Sequence, residues 1–195
     1  LLADGEQMIS NGYRPDNRGW LTEDDPLRAD GSFAYAAHKR RGEEMLAEAR
    51  EAHPECRQLI FRPCTVLGTR VSNPITDLFE KPVQIGVRGS ATPFNLIWDE
   101  DLARAMVVGI HGRRTGIYNA AADGTLTLRE IAGRMGRPYL PLPAAVLRRG
   151  IGLLRWLGRT QYRPEQVDFL RYRPVVSNRA LERDFVAFHD GFATD

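Results

Sequence analysis

The pattern of apolar and polar positions opens with a stretch that has none of either period. Residues 11–31 are crowded with turn formers and acids, including Asn11-Gly12, Pro15-Asp16-Asn17 and Thr22-Glu23-Asp24-Asp25-Pro26, which predicts a solvated loop. From 32 to about 53, Phe33, Ala37, Met45, Leu46 and Ala49 recur with helical spacing among Glu43, Glu44, Glu48 and Arg50, and Pro54 closes the run. A long helix is predicted there. Residues 58–62 and 65–68 are short apolar runs of the kind that form buried parallel strands, and 83–88 gives another strand candidate. Residues 94–98 lead into Asp99-Glu100-Asp101, where Asp101 is the expected cap of a helix running to about 110 with Leu102, Ala105, Met106 and Gly109 on one side.

A further strand is predicted over 117–121. Thr127-Leu128-Arg129-Glu130 has the spacing of a capping box and opens a short helix. Residues 143–159 read as an amphipathic helix whose Val146, Leu147, Ile151, Leu154 and Leu157 face the core, with a partner-docking or membrane-surface face as the alternative. A helical turn over 164–170 and a final helix over about 179–185 complete the sequence reading. Helix and strand signals alternate, which predicts an α/β fold.

With 195 residues, 43% of them hydrophobic, the chain can bury one substantial core and a small second lobe. No run of 18 apolar residues exists and the first residues lack the pattern of a signal peptide, so a cytoplasmic protein without a membrane span is expected. Cys56 and Cys64 read as reduced thiols, and neither they nor the four histidines have ligand spacing, so no metal site is expected. The net charge of +2 hides a gradient: residues 1–30 hold seven acids against three arginines, and 129–173 hold ten arginines against three acids. Aromatic residues interleave with that basic stretch, but solvated arginines explain it more simply, and a nucleic-acid partner is not expected.

Only two lysines, Lys39 and Lys81, stand among 25 arginines. Lys39 lies four residues after Tyr35, a helical spacing that puts phenol and ammonium on one face. The cation favours the phenolate, and a phenol tuned in this way can exchange a proton with a hydroxyl or carbonyl near neutral pH.

Tyr35-x-x-x-Lys39, followed by Phe61-Arg62-Pro63-Cys64-Thr65-Val66-Leu67-Gly68 and then Trp98-Asp99-Glu100-Asp101-Leu102-Ala103, resembles the extended short-chain dehydrogenase/reductase family, the NAD-dependent epimerase/dehydratases. The acidic run 21–27, Tyr118-Asn119-Ala120 and the segment 176–185 resemble further parts of that family in the same order. The resemblance covers nearly the whole chain but corresponds to the C-terminal portion of the family. It implies a Rossmann-like parallel sheet without the N-terminal nucleotide-binding half, over 1–121 with 71–94 given to the substrate lobe, and a small C-terminal substrate lobe over 122–195.

The resemblance further implies NAD or NADP as cofactor and a small-molecule substrate, and a homodimer is compatible with it. Tyr35 would be the catalytic acid/base, Lys39 would hold the nicotinamide ribose, and Pro63, Cys64 and Val66 would approach the nicotinamide ring. The tyrosinate would take a proton from a substrate hydroxyl as hydride passes to the nicotinamide. Ser10 is the nearest hydroxyl to the slot of the family's catalytic serine or threonine, which alignment on Asn11-Gly12 gives to Gln7.

The sequence departs from the family at several places. No glycine-rich phosphate loop is present: the segment 109–116 follows a helix and precedes a strand, the reverse of what a pyrophosphate site needs, so tight dinucleotide binding is not expected from this chain alone. Phe94 stands where nucleotide-sugar enzymes of the family often have an arginine, with Arg88 nearby. Trp98 stands where His or Tyr is common, a change compatible with core packing. Arg62, at a strand end, reads as structural. The alternative to an enzyme is an inactive remnant or a binding protein that acts through its basic C-terminal surface.

Overall fold

The computed structural model describes residues 19–26, 34–159, 164, 167–171, 173 and 175–185, and at 34–37, 74, 168 and 169 it describes the backbone alone. The fold is mixed α/β, built on short parallel strand pairs. Helix α1 (Ala34–Ala52) turns at His53 and Pro54 and leads into β2 (Leu59–Pro63), with β1 (Trp20–Leu21) upstream. A one-residue break at Cys64 separates β2 from β3 (Thr65–Leu67). β2 pairs in parallel with β7 (Gly116–Ala120), Phe61 opposite Tyr118, while β3 pairs in parallel with β6 (Leu96–Trp98).

Helix α3 (Asp99–His111) connects β6, the partner of β3, to β7, the partner of β2. Its buried Leu102, Ala105 and Gly109 form the stripe expected from their spacing. Gly109 allows the close approach: a Cβ there would lie 2.5 Å from Leu59 Cδ2 and 3.1 Å from the Phe185 ring. Around this contact Phe61, Tyr118 and Phe185 pack with ring centroids 5.0–6.2 Å apart, joined by Ile97, Val176 and Leu181 in one core.

A second core gathers Phe79, Phe94, Leu128 and Ile131. It lies among helix α2 (Pro74–Phe79), strand β4 (Gln84–Val87), strand β5 (Pro93–Phe94), strand β8 (Leu126–Thr127), helix α4 (Leu128–Arg134) and strand β9 (Tyr139–Leu142). Here β4 and β9 run parallel, and β5 and β8 antiparallel. The Thr127/Glu130 capping box forms as its spacing predicts, with the Glu130 backbone N–H donating to Thr127 Oγ1 and Thr127 N–H to the Glu130 carboxylate. The chain continues through helix α5 (Ala144–Trp156), helix α6 (Val167–Arg171), strand β10 (Val175–Val176) and helix α7 (Arg179–Asp184).

Four sequence expectations are corrected. Within 11–31, residues 20–21 are not loop: β1 pairs in parallel with β10, Trp20 opposite Val175. Asp101 is not the cap of α3. Trp98 holds the N-cap position without a side-chain cap, and Asp101 sits in the first turn bonded to Arg104. Trp98 is 42% exposed rather than packed in a core. Helix α5 contains no fully buried residue, and of the predicted core face Leu147 and Ile151 are half-buried whereas Val146, Leu154 and Leu157 are exposed. No helix among the described residues is long and apolar enough to cross a membrane.

Candidate active site

The site is organised by one buried ion pair. Arg62, the fourth residue of β2, donates from Nε to Glu43 Oε1 at 2.9 Å and Oε2 at 3.0 Å, and its Nη2 closes on Oε2. Both side chains are buried, at 4% and 6% exposure. Arg62 Nη1 also donates to the backbone carbonyl of Glu23 at 3.1 Å. The Glu23 carboxylate in turn accepts from the Asn119 backbone N–H at 2.7 Å, and Asn119 Nδ2 donates to Leu21 O. The acidic segment is therefore strapped across the ends of β2 and β7, and Arg62 is structural, as its position predicts.

The same pair fixes α1. Glu43 meets Arg62 near the end of β2, and one helical turn later the Leu46 carbonyl accepts from Gln58 Nε2 just before the strand begins. Helix and strand thus run antiparallel. Lys39, one turn before Glu43 and half-buried, lies on the part of α1 that approaches the carboxyl end of β2. In α/β folds that end of the parallel strands is where ligands bind. Tyr35 belongs to the first turn of α1, so the four-residue spacing to Lys39 is helical along its whole length. The Tyr35 side chain and all of Ser10 lie outside the described residues.

Pro63 is buried at the end of β2, and the Cys64 backbone N–H donates to Ala120 O at 2.9 Å. The Cys64 thiol is sealed in the first core, and burial pushes it well above the usual thiol range. It is a neutral packing group rather than a nucleophile. Val66 is half-buried, and its carbonyl accepts from Asn73 Nδ2 at 3.0 Å. Pro63, Cys64, Ala120 and Ala121 together make the strand ends small and uncharged.

Arg173 is the group that sequence reasoning missed. It is buried, donates from Nη2 to Thr65 Oγ1 at 2.7 Å, and stacks its guanidinium 4.1 Å over the Phe94 ring. A cation from a distant segment therefore stands over Phe94. Nothing local in 171–174 signals this, because the contact spans 108 residues. Tyr118, a buried phenol of the first core, donates to Asp184 Oδ2 at 3.1 Å. Burial first, and then Asp184, hold its pKa above the ordinary value, opposite to what acid/base work near neutrality requires.

Fit to a nicotinamide dinucleotide divides along its length. The uncharged strand ends and Lys39 suit the nicotinamide riboside end. The pyrophosphate end finds no glycine-rich strand-to-helix turn among the described residues. In the 109–116 segment the backbone N–H groups of Gly112, Arg113 and Arg114 donate to the last carbonyls of α3, so this is a helix C-terminus with its donors already used.

No family model matches the chain. An uncharacterized protein of Mycobacterium bovis is 30% identical over 119 residues, 60% of this chain and 13% of its own length. Among solved structures, a dTDP-glucose 4,6-dehydratase from Bacillus anthracis in complex with NAD superimposes with a TM-score of 0.61 at 13% identity, covering 95% of this chain and 55% of that one. A UDP-glucose 4-epimerase from Thermus thermophilus in complex with NAD gives 0.59 at 17% identity, covering 95% and 57%. The chain spans little more than half of those two enzymes and a far smaller share of the mycobacterial relative. Over that part of their length, the chain has the Rossmann-type fold of the NAD-dependent epimerases and dehydratases.

Proposed function

We propose that the chain carries the acid/base and nicotinamide-end half of an NAD(P)-dependent oxidoreductase of the epimerase, dehydratase or reductase type. Its substrate is a small molecule with a hydroxyl or carbonyl at the reacting carbon. The observation that supports this reading is the docking of α1: the Glu43–Arg62 pair holds the helix antiparallel to β2, with the turn of Tyr35 and Lys39 toward the carboxyl end of the strand.

In this reading Tyr35 exchanges the proton of the substrate hydroxyl, and the Lys39 ammonium keeps that phenol acidic and donates a hydrogen bond to the cofactor ribose. A bound nicotinamide supplies the hydride acceptor and donor. Ser10 supplies a hydroxyl to orient the substrate oxygen. Pro63, Cys64 and Val66 form the neutral seat beside the ring, with Cys64 contributing backbone rather than thiol. Residues 1–121 without 71–94 make up the Rossmann-like portion, and 71–94 with 122–195 the substrate lobe.

Titration of the purified chain with NADH, followed by NADH emission, tests the assignment. Saturable binding that weakens by about tenfold in Lys39→Ala, the loss of one charge-assisted hydrogen bond, is expected. Binding indifferent to Lys39 would remove this lysine from the site.

A further inference from the structure

The turn of α1 that carries Tyr35 and Lys39 lies between two anchors, and both end on one guanidinium. Downstream, Glu43 follows Tyr35 by two helical turns, about 12 Å along the axis, and its carboxylate accepts from Arg62 Nε and Nη2. Upstream, the backbone carbonyl of Glu23 accepts from Arg62 Nη1 at 3.1 Å. Seven residues, 27–33, separate this upstream strap from α1.

The strap is a closed turn seated on the sheet. Thr22 N–H and Oγ1 donate to Asp25 Oδ2 at 2.7 and 3.0 Å, and the Asp25 N–H donates to Thr22 O at 3.2 Å. Of the three acids in 23–25, Asp25 closes the turn and Asp24 is exposed, and Glu23 makes the bond to β7 through the Asn119 backbone N–H at 2.7 Å. That N–H belongs to the outer edge of the strand. Gly116 N–H donates to Gln58 O and Cys64 N–H to Ala120 O, so 116, 118 and 120 turn their backbone groups toward β2, and 117 and 119 turn theirs away. The Glu23 carboxylate therefore stands where a further strand would pair, and this bond sets where its own carbonyl meets Arg62.

We propose that Glu23 is a positioning residue of the acid/base site: by seating the strap on β7 it completes the Arg62 bridge that holds the turn of Tyr35 and Lys39 at the carboxyl end of β2. This role rests on the assignment of Tyr35 and Lys39 proposed above. It acts through geometry, and the direction of the effect separates geometry from charge. Removing an anion near a phenol favours the phenolate, whereas loosening the phenol from its ammonium disfavours it.

The test is ultraviolet difference titration of the 195-residue chain, with the Tyr35 contribution obtained by subtracting the same variant carrying Tyr35→Phe. In Glu23→Ala this phenol should ionise about one unit higher, toward the ordinary value of about 10. Glu23→Gln keeps an oxygen for the Asn119 N–H without the charge, and the phenol should stay in place or move slightly down. Glu23→Asp keeps the charge one carbon short, should move the phenol part of the way, and carries the test if Glu23→Ala does not fold. Thr127→Ala, at the α4 cap beside the second core, is the stability control and should leave the phenol in place. An unmoved phenol in Glu23→Ala and Glu23→Asp, or an equal rise in Glu23→Gln or in Thr127→Ala, overturns the positioning role. Absence of a Tyr35-dependent acidic phenol from the unmodified chain overturns the Tyr35–Lys39 reading itself, and the role of Glu23 falls with it.

Discussion

Removing the Glu43 carboxylate should be among the most damaging single changes available to this fold. In Glu43→Ala the Arg62 guanidinium keeps its hydrogen bond to the Glu23 carbonyl but loses its counter-ion in a site where both partners are almost fully buried. A buried charge stripped of its partner costs about 3–5 kcal/mol. With a urea dependence of about 2 kcal/mol per molar, the unfolding midpoint should fall by about 2 M in far-ultraviolet circular dichroism. Glu43→Gln keeps an oxygen acceptor and should lose less. The double variant Glu43→Leu/Arg62→Met removes both charges together and should be more stable than Glu43→Ala, because no charge is left stranded. A loss below about 1 kcal/mol in Glu43→Ala, the range of exposed pairs, would refute the reasoning, as would a double variant no better than the single.

Two smaller effects follow from the caps and the surface charges. Thr127→Ala breaks both halves of the α4 capping box and should cost about 0.5–2 kcal/mol in the same denaturation assay. Asp184 accepts from Arg183 and from the Tyr118 hydroxyl, and these bonds hold its carboxyl below the ordinary value of 3.8. A depressed carboxylate contributes stability above that value and loses it as pH falls through its lower folded value. Asp184→Asn should therefore flatten the decline of melting temperature below about pH 4 and lower stability at neutral pH.

Elements whose signals are local were legible in the sequence. The α1 period, the apolar stripe of α3 and the Thr127/Glu130 box each lie within a few residues, and each forms as read. What was hidden depends on partners far away. β1 is two residues long in an acidic segment and becomes a strand only because residues 175–176 lie beside it. β9 contains Pro141 and follows Pro138, which masked a strand that pairs with β4. Helix α2 did leave a signal, Asn73-Pro74 with Thr76 at the third helical position, and Asn73 caps it through Oδ1. For α5 the period was legible but not the direction, since periodicity shows that a helix has two faces and not which one meets the core. In the site, the Tyr35–Lys39 spacing was legible, whereas the Glu43–Arg62 clamp and the placement of Arg173 over Phe94 needed the fold.

We propose that Lys39 holds the Tyr35 phenol acidic, and ultraviolet difference titration of the tyrosines tests this without any cofactor. One phenol should ionise below the ordinary tyrosine value of about 10, vanish in Tyr35→Phe, and return toward that value in Lys39→Ala. Identical low-pH limbs in the unmodified chain and Tyr35→Phe would contradict the account.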